Sequence, residues 1–435
     1  MAVGALMRAD APGAADAGES ARVRRNVVCL AANGLVANLG GFLIGGTVLQ
    51  AFLLEFGVSG LQLGVIGSAS GVTAALAMFA FLGLADSLLE RRRLAAASRL
   101  AIVALPVGLI IVARYGVPGP VVLAAMVGLA SLQSMVESVH GLVYNSLFVR
   151  CLPARLRGRF TGISGFVTQL GVIGLGLLVT AWLAWQPFPR NYTICFVAAI
   201  LCMVGSAIAI LCLGEVPSLR VSVASGARSP LVAAWQVVRL HEFRALLAPN
   251  VLRGVTGGAG YFVFVMGWQR LQLSPQYGAL LATLTAGGGL AGMAALGLLH
   301  DRYGAGMVCL VGNLGMAAGL LGAVLAPTPG WFLAFGVVHA IGSAMEGSGV
   351  PLGTYDVAPP AMIAAYNGAR LLLLSGSSAL SLPAIGYLLD DLRTPVPVFV
   401  AAAGLALLNG WLYWRGFDRA LRAQPSAVPP ARRPV

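Results

Sequence analysis

Six ionisable side chains sit inside long apolar stretches of this chain: Glu137, His140, Arg253, His339, Glu346 and Arg370. A charged group at the centre of a bilayer costs at least about 2.5–3.5 kcal/mol, so such residues line a wet cavity or pair with one another. Glu137 and His140 are three residues apart and share a helix face, with Gln133 one turn earlier. A carboxylate beside an imidazole can hold and pass a proton near neutral pH; a structural hydrogen-bonded pair is the other reading. His339 and Glu346 lie two turns apart on one face. Arg253 needs an anion, either Glu346 or the anionic group of a solute gripped bidentately. Arg370 lies near the start of its segment, where a gate, a structural pair or a snorkelling side chain fits. Asn33 and Asn38 could hydrogen-bond a solute or tie helices together. The expected solute-binding set is therefore Asn33, Asn38, Gln133, Arg253, His339 and Glu346, and the expected proton-coupling set is Glu137, His140 and Glu346.

The elements that hold these groups follow from composition. The chain has 435 residues, 58% hydrophobic and 10% charged, with mean hydropathy +0.86. A soluble domain carries about 25% charged residues, so a water-soluble enzyme is excluded. A spanning helix needs about 20 apolar residues. Twelve such segments are predicted, numbered here as spans 1 to 12: 27–54, 62–85, 96–115, 119–149, 160–185, 192–213, 245–268, 276–299, 306–326, 331–357, 362–389 and 395–415. Glu137 and His140 then fall on span 4, Arg253 on span 7, His339 and Glu346 on span 10, and Arg370 on span 11. No stretch alternates as a membrane barrel strand would, so the fold class is an all-α membrane protein.

The net charge of +13 comes from arginine alone among basic residues. Arg91, Arg92, Arg93, Arg155, Arg157, Arg159 and most others fall on one side of the proposed topology. Only Arg114, Arg190, Arg270 and Arg393 fall on the other. The positive-inside rule places both termini in the cytoplasm, for a multi-pass protein of the cell inner (plasma) membrane. The charge is topogenic and implies no nucleic-acid partner. The first 25 residues lack an apolar core followed by a cleavage site and read as a cytoplasmic tail. The six cysteines read as small buried thiols, with neither a disulfide nor a metal implied.

The chain also repeats. Leu30-Ala-Ala-Asn33 matches Leu247-Ala-Pro-Asn250, and Gly40-Gly41 matches Gly257-Gly258 at the same offset. Asp86 matches Asp301, His140-Gly141 matches Glu346-Gly347, Pro153 matches Pro359, and Gly162 matches Gly368. Two six-helix bundles in parallel repeat, 26–213 and 245–416, are expected. A cytoplasmic linker (214–244) joins them, and tails (1–25 and 417–435) flank them. Parallel repeats of this kind build transporters with a midplane site.

The sharpest motif follows span 8: Gly297-Leu-Leu-His-Asp301-Arg302-Tyr-Gly304. It resembles the G-x-L-x-D-R-x-G loop of the major facilitator superfamily. The first-half copy, Gly83-Leu-Ala-Asp86, keeps the Asp but loses the rest. The resemblance extends over about 26–416. It implies that Asp301 and Arg302, with Asp86 of the first-half copy, act in gating, and that spans 1, 4, 7 and 10 line a central cavity; Arg370 joins the gating set from its place near the start of span 11. The family's proton-driven drug exporters carry an intramembrane Arg on span 4 and a Gly-Pro motif on span 5. Here span 4 has no Arg before Arg150 and span 5 no Gly-Pro.

The chain has no H-E-x-x-H, G-x-S-x-G, C-x-x-C or phosphate-binding P-loop motif. No enzymatic activity, catalytic residue or cofactor is expected. The reading is a monomeric secondary transporter in the lipid bilayer, moving a small organic solute, which Arg253 tilts towards an anionic one, by alternating access coupled to protons. A receptor or scaffold that kept the fold without transport, and a drug or metabolite exporter, are the alternatives.

Overall fold

The computed structural model describes residues 17–81, 90–115, 119–215, 230–358, 363–392 and 395–423. Every regular element among them is a helix. Span 1 is Ala17–Ile44 followed by Gly46–Glu55, with the break at Gly45. Span 2 is Gly60–Ala80, span 3 is Arg91–Ala101 with Ala104–Tyr115, and span 4 is Gly119–Cys151. Spans 5 and 6 are Ala154–Trp185 and Arg190–Leu211. Span 7 is broken into Leu247–Tyr261 and Val263–Leu271. Spans 10, 11 and 12 are Pro329–Val357, Ile363–Asp391 and Val396–Ala423.

Nine segments among the described residues are long and apolar enough to cross a membrane, and their difference from twelve has three sources. Gln276–Leu325 contains spans 8 and 9 as two helices that meet at a kink at Gly304, φ 77° and ψ 171°, a conformation only glycine adopts without strain, and so counts once. The break at Phe262 leaves both pieces of span 7 short. Span 10, which carries His339 and Glu346, is a continuous helix of 29 residues outside the nine. The ends also shift. The last helix runs to Ala423, into the expected tail.

Capping fixes several of these ends. Ser59 and Gln62 form a reciprocal capping box that starts span 2 at Gly60, two residues ahead of the apolar window. One further start, that of span 3, is capped from a distance, and the start of span 2 gains a second cap the same way. Glu215, just past span 6, accepts from Arg91 N at 2.8 Å and Arg92 N at 3.1 Å, which begins span 3. Asp390, near the end of span 11, accepts from Gly60 N at 2.9 Å and Leu61 N at 2.8 Å. A helix start leaves its first N–H groups unpaired, and an aspartate there satisfies two of them and also meets the positive dipole end.

The chain forms two compact units. One comprises 1–227 with Phe264–Gly287 and Leu382–Leu392. Its core gathers Val27, Leu30, Val143, Leu147, Phe160, Ala207 and Ile210 from spans 1, 4, 5 and 6. Asn26 ties span 1 to the ends of spans 4 and 6 through Cys151 O (3.0 Å) and Gly214 N (2.8 Å). The other comprises 228–263, 288–381 and 393–435. There spans 8, 9 and 10 pack at backbone distance. A Cβ on Gly288 would lie 2.9 Å from Val337 O, and one on Gly315 would lie 3.1 Å from Gly342 Cα. Small residues permit that approach.

Candidate functional site

In the second unit, polar side chains from four helices converge on Glu346. Its position in mid-helix, 2% exposed, removes it from water. Oε2 lies 3.3 Å from Arg253 Nε on span 7. Oε1 accepts from Asn409 Nδ2 of span 12 at 3.1 Å, and Asn313 of span 9 adds a further side-chain hydrogen bond. Asn409 Nδ2 also reaches Asn313 Oδ1 at 3.3 Å. One turn before Arg253, Asn250 donates to Leu246 O (2.7 Å) and accepts from Tyr413 OH (3.2 Å). A buried charge is tolerated only when paired and hydrogen-bonded, and Glu346 has both. Arg370 of span 11 is 9% exposed and lies within electrostatic reach of Arg253 and Glu346. His339 packs between Gly260 of span 7 and Gly319 of span 9, with its Nε2 buried and unpaired.

In the first unit, the network centres on His140, 5% exposed on span 4. Its Nδ1 is 2.9 Å from Ser98 Oγ and 3.0 Å from Ala95 O, and its Nε2 is 2.8 Å from Arg99 Nη2. A guanidinium only donates, so Nε2 accepts and the ring proton sits on Nδ1, directed at the Ala95 carbonyl. The ring stacks on Tyr144, centroids 5.5 Å apart. Tyr144 hydrogen-bonds Asn33, whose Oδ1 accepts from Ser206 Oγ of span 6 at 2.6 Å. Glu137 points from the exposed side of the same helix and accepts from Gln133 Nε2 at 2.8 Å. Asn38 is exposed and donates to Gly34 O of its own helix at 2.7 Å.

The repeat is visible in these ties. Asn33 and Asn250, matched in sequence, each bond to the last span of their own bundle, Ser206 on span 6 and Tyr413 on span 12. His140 and Glu346, also matched, each bond to the preceding span, through Ser98 and through Asn313. The structure thus brings Arg253 and Glu346 together; Glu137 is exposed, yet lies within electrostatic reach of Arg99, which holds buried His140.

Among the expected gating residues, Asp301 is 91% exposed, with His300 Nδ1 at 3.9 Å. His300 Nε2 lies 3.5 Å from Asp356, and Arg302 stacks over the Tyr303 ring at 5.4 Å. Asp86 lies outside the described residues. No cluster of metal-ligating side chains occurs among the described residues, and the cysteines there are free thiols.

Sequence reasoning missed Asn313, Asn409, Ser98 and Arg99. A signal for Asn313 exists: it stands at the same offset from Ser98 as Asp301 does from Asp86. Arg99 falls eight residues into span 3, where it reads as part of the interfacial arginine cluster.

No family model and no curated protein sequence matches the chain. Solved structures do. The chain resembles the nucleoside transporter NupG at 16% identity and TM-score 0.65, covering 91% of this chain and 99% of that one. A POT-family transporter in complex with a thioalcohol-conjugated peptide matches at 14% identity and TM-score 0.69, covering 91% and 96%. The E. coli xylose transporter XylE, in a partially occluded inward-open conformation, matches at 12% identity and TM-score 0.64, covering 91% and 98%. Likeness over nine-tenths of the chain, together with the apolar helices, shows a multi-pass membrane protein with the all-helical fold of these transporters.

Proposed function

We propose that this protein is a secondary transporter of the cell inner (plasma) membrane, with both termini cytoplasmic. It moves a small organic solute by alternating access and couples that movement to protons through Glu346. The observation that carries the reading is the buried Glu346–Arg253 pair, held by asparagines of spans 9 and 12. One of the similar solved structures is a D-xylose–proton symporter, which lends the coupling further support.

The chemistry runs on one carboxylate. Ionised, Glu346 neutralises Arg253 and keeps spans 7 and 10 joined. A proton taken up by Glu346 removes that charge and frees the guanidinium for a solute's anionic group, which it grips bidentately. Loss of the proton restores the pair and expels the anion. A ligand shifts the equilibrium between two conformations only by binding one better than the other, and competition with Glu346 supplies that difference. His140 is less suited to the role, because Arg99 already fills its acceptor nitrogen.

The test is transport in proteoliposomes. A labelled solute first identified by thermal shift should exchange against unlabelled solute and accumulate when the outside is made acidic. A receptor would bind without exchange, and that outcome would sink the transporter reading.

A further inference from the structure

In the second unit the charges do not balance. Two guanidiniums, Arg253 and Arg370, face one carboxylate, Glu346, and repel each other. Both oxygens of that carboxylate are engaged, Oε2 by Arg253 Nε and Oε1 by Asn409 Nδ2. Arg253 Nη1 and Arg370 Nε are buried with no hydrogen-bond acceptor among the described residues. Asp356, the nearest acidic residue along span 10, is half-exposed and already faces His300. The network therefore carries one net positive charge and two donor atoms that no acceptor meets among the described residues, although Asn409 Oδ1 is also left unpaired. A guanidinium left uncompensated at depth is expensive; Arg370 has no salt bridge among the described residues, and Tyr413, Tyr355 and Glu346 act on it only through space.

We propose that Arg253 and Arg370 together form a binding site for an anionic group, a carboxylate or a phosphate, carried by the solute. Resting on the transporter reading above, this makes Arg370 a binding residue as well as a gating one. The chemistry selects the class. Planar guanidinium forks match the paired oxygens of carboxylates and phosphates, whereas a neutral sugar or amide would satisfy the donors and leave the charge unmet. Asn367 lies three residues before Arg370 on the same helix face. Its Oδ1 is buried and unpaired, an acceptor suited to a hydroxyl or N–H elsewhere on the same molecule.

The experiment is thermal unfolding of the full-length protein in a neutral detergent, at fixed ionic strength. The probes are inorganic phosphate and succinate, with chloride as control. A separate arm mixes phosphatidylglycerol into the micelles, since a lipid headgroup carries the same phosphate chemistry. Phosphate or succinate is expected to raise the unfolding midpoint in a saturable way. Truncating one partner of a desolvated charge contact, Arg370→Gln, should weaken that binding by about thirtyfold or more. Arg370→Lys keeps the charge without the fork and should fall between, which preserves the test if Arg370→Gln fails to fold. Equal shifts in wild type and the Arg370 variants, no shift with either soluble anion, or stabilisation by the lipid alone would overturn the inference. Because binding is read without transport, an Arg370-dependent anion that proteoliposomes do not exchange contradicts the transporter reading and supports this site.

Discussion

Arg253 and Glu346 carry opposite charges 3.3 Å apart within the membrane-spanning helices, and each makes the other's burial tolerable. Removing one partner of a buried pair leaves a bare charge and costs about 3–5 kcal/mol. Arg253→Ala should therefore lower the thermal unfolding midpoint more than the double variant Arg253→Ala/Glu346→Ala. Additive losses in that double-mutant cycle would contradict the pairing. His140 gives a second prediction. His140→Ala strands Arg99 and should cost about 1–3 kcal/mol of stability, yet uphill uptake should persist in whatever protein folds. Uphill uptake lost with exchange intact would move the coupling role from Glu346 to His140. The sequence names both titratable residues, and it names the Arg253–Glu346 pair as one of two readings. It does not show which way a side chain turns: Glu137 and His140 share a face by spacing, yet one is exposed and the other buried. Asn313 and Asn409 are illegible for a related reason, since an asparagine in an apolar helix looks the same whether it ties helices or lines a cavity.

At the scale of elements, hydropathy locates the spans and misses what starts and bends them. Ser59 and Gln62 have the spacing of a capping box, so the start of span 2 was readable. Asp390 as its second cap was not, because the residues lie 330 positions apart. Here the carboxylate sits where the two backbones nearly touch: a Cβ on Gly64 would collide with Leu382 O, and one on Gly386 with Gly60 O. Asp390→Ala should cost about 0.5–2 kcal/mol, the usual loss on removing an N-cap, read as a lowered unfolding midpoint. Asp390→Asn retains one acceptor and should cost less. An unchanged midpoint in Asp390→Ala would show that the cap contributes nothing. Gly304 illustrates the converse: its place in the Gly297–Gly304 motif marks a turn, and the bend it makes joins spans 8 and 9.

For the whole molecule, the internal repeat is the most legible feature, because it is written in matched residues that make matched bonds. The compact units are not legible from it: Phe264–Gly287 and Leu382–Leu392 cluster with the first half of the chain, an outcome of helix packing that no periodicity records. The arginine bias gives a topological prediction. A fluorescent protein fused after Val435 should fold and emit in the cytoplasm, and alkaline phosphatase fused after Gly57 should be active outside it. The reverse pattern would invert the topology.

The central claim is that Glu346 couples the solute to protons, and one comparison tests it most directly. Wild type and Glu346→Gln are reconstituted into proteoliposomes and assayed with the same labelled solute, once in counterflow and once under an inward proton gradient. The account predicts that wild type does both, and that Glu346→Gln exchanges solute but no longer accumulates it. Uphill accumulation surviving in Glu346→Gln would contradict it.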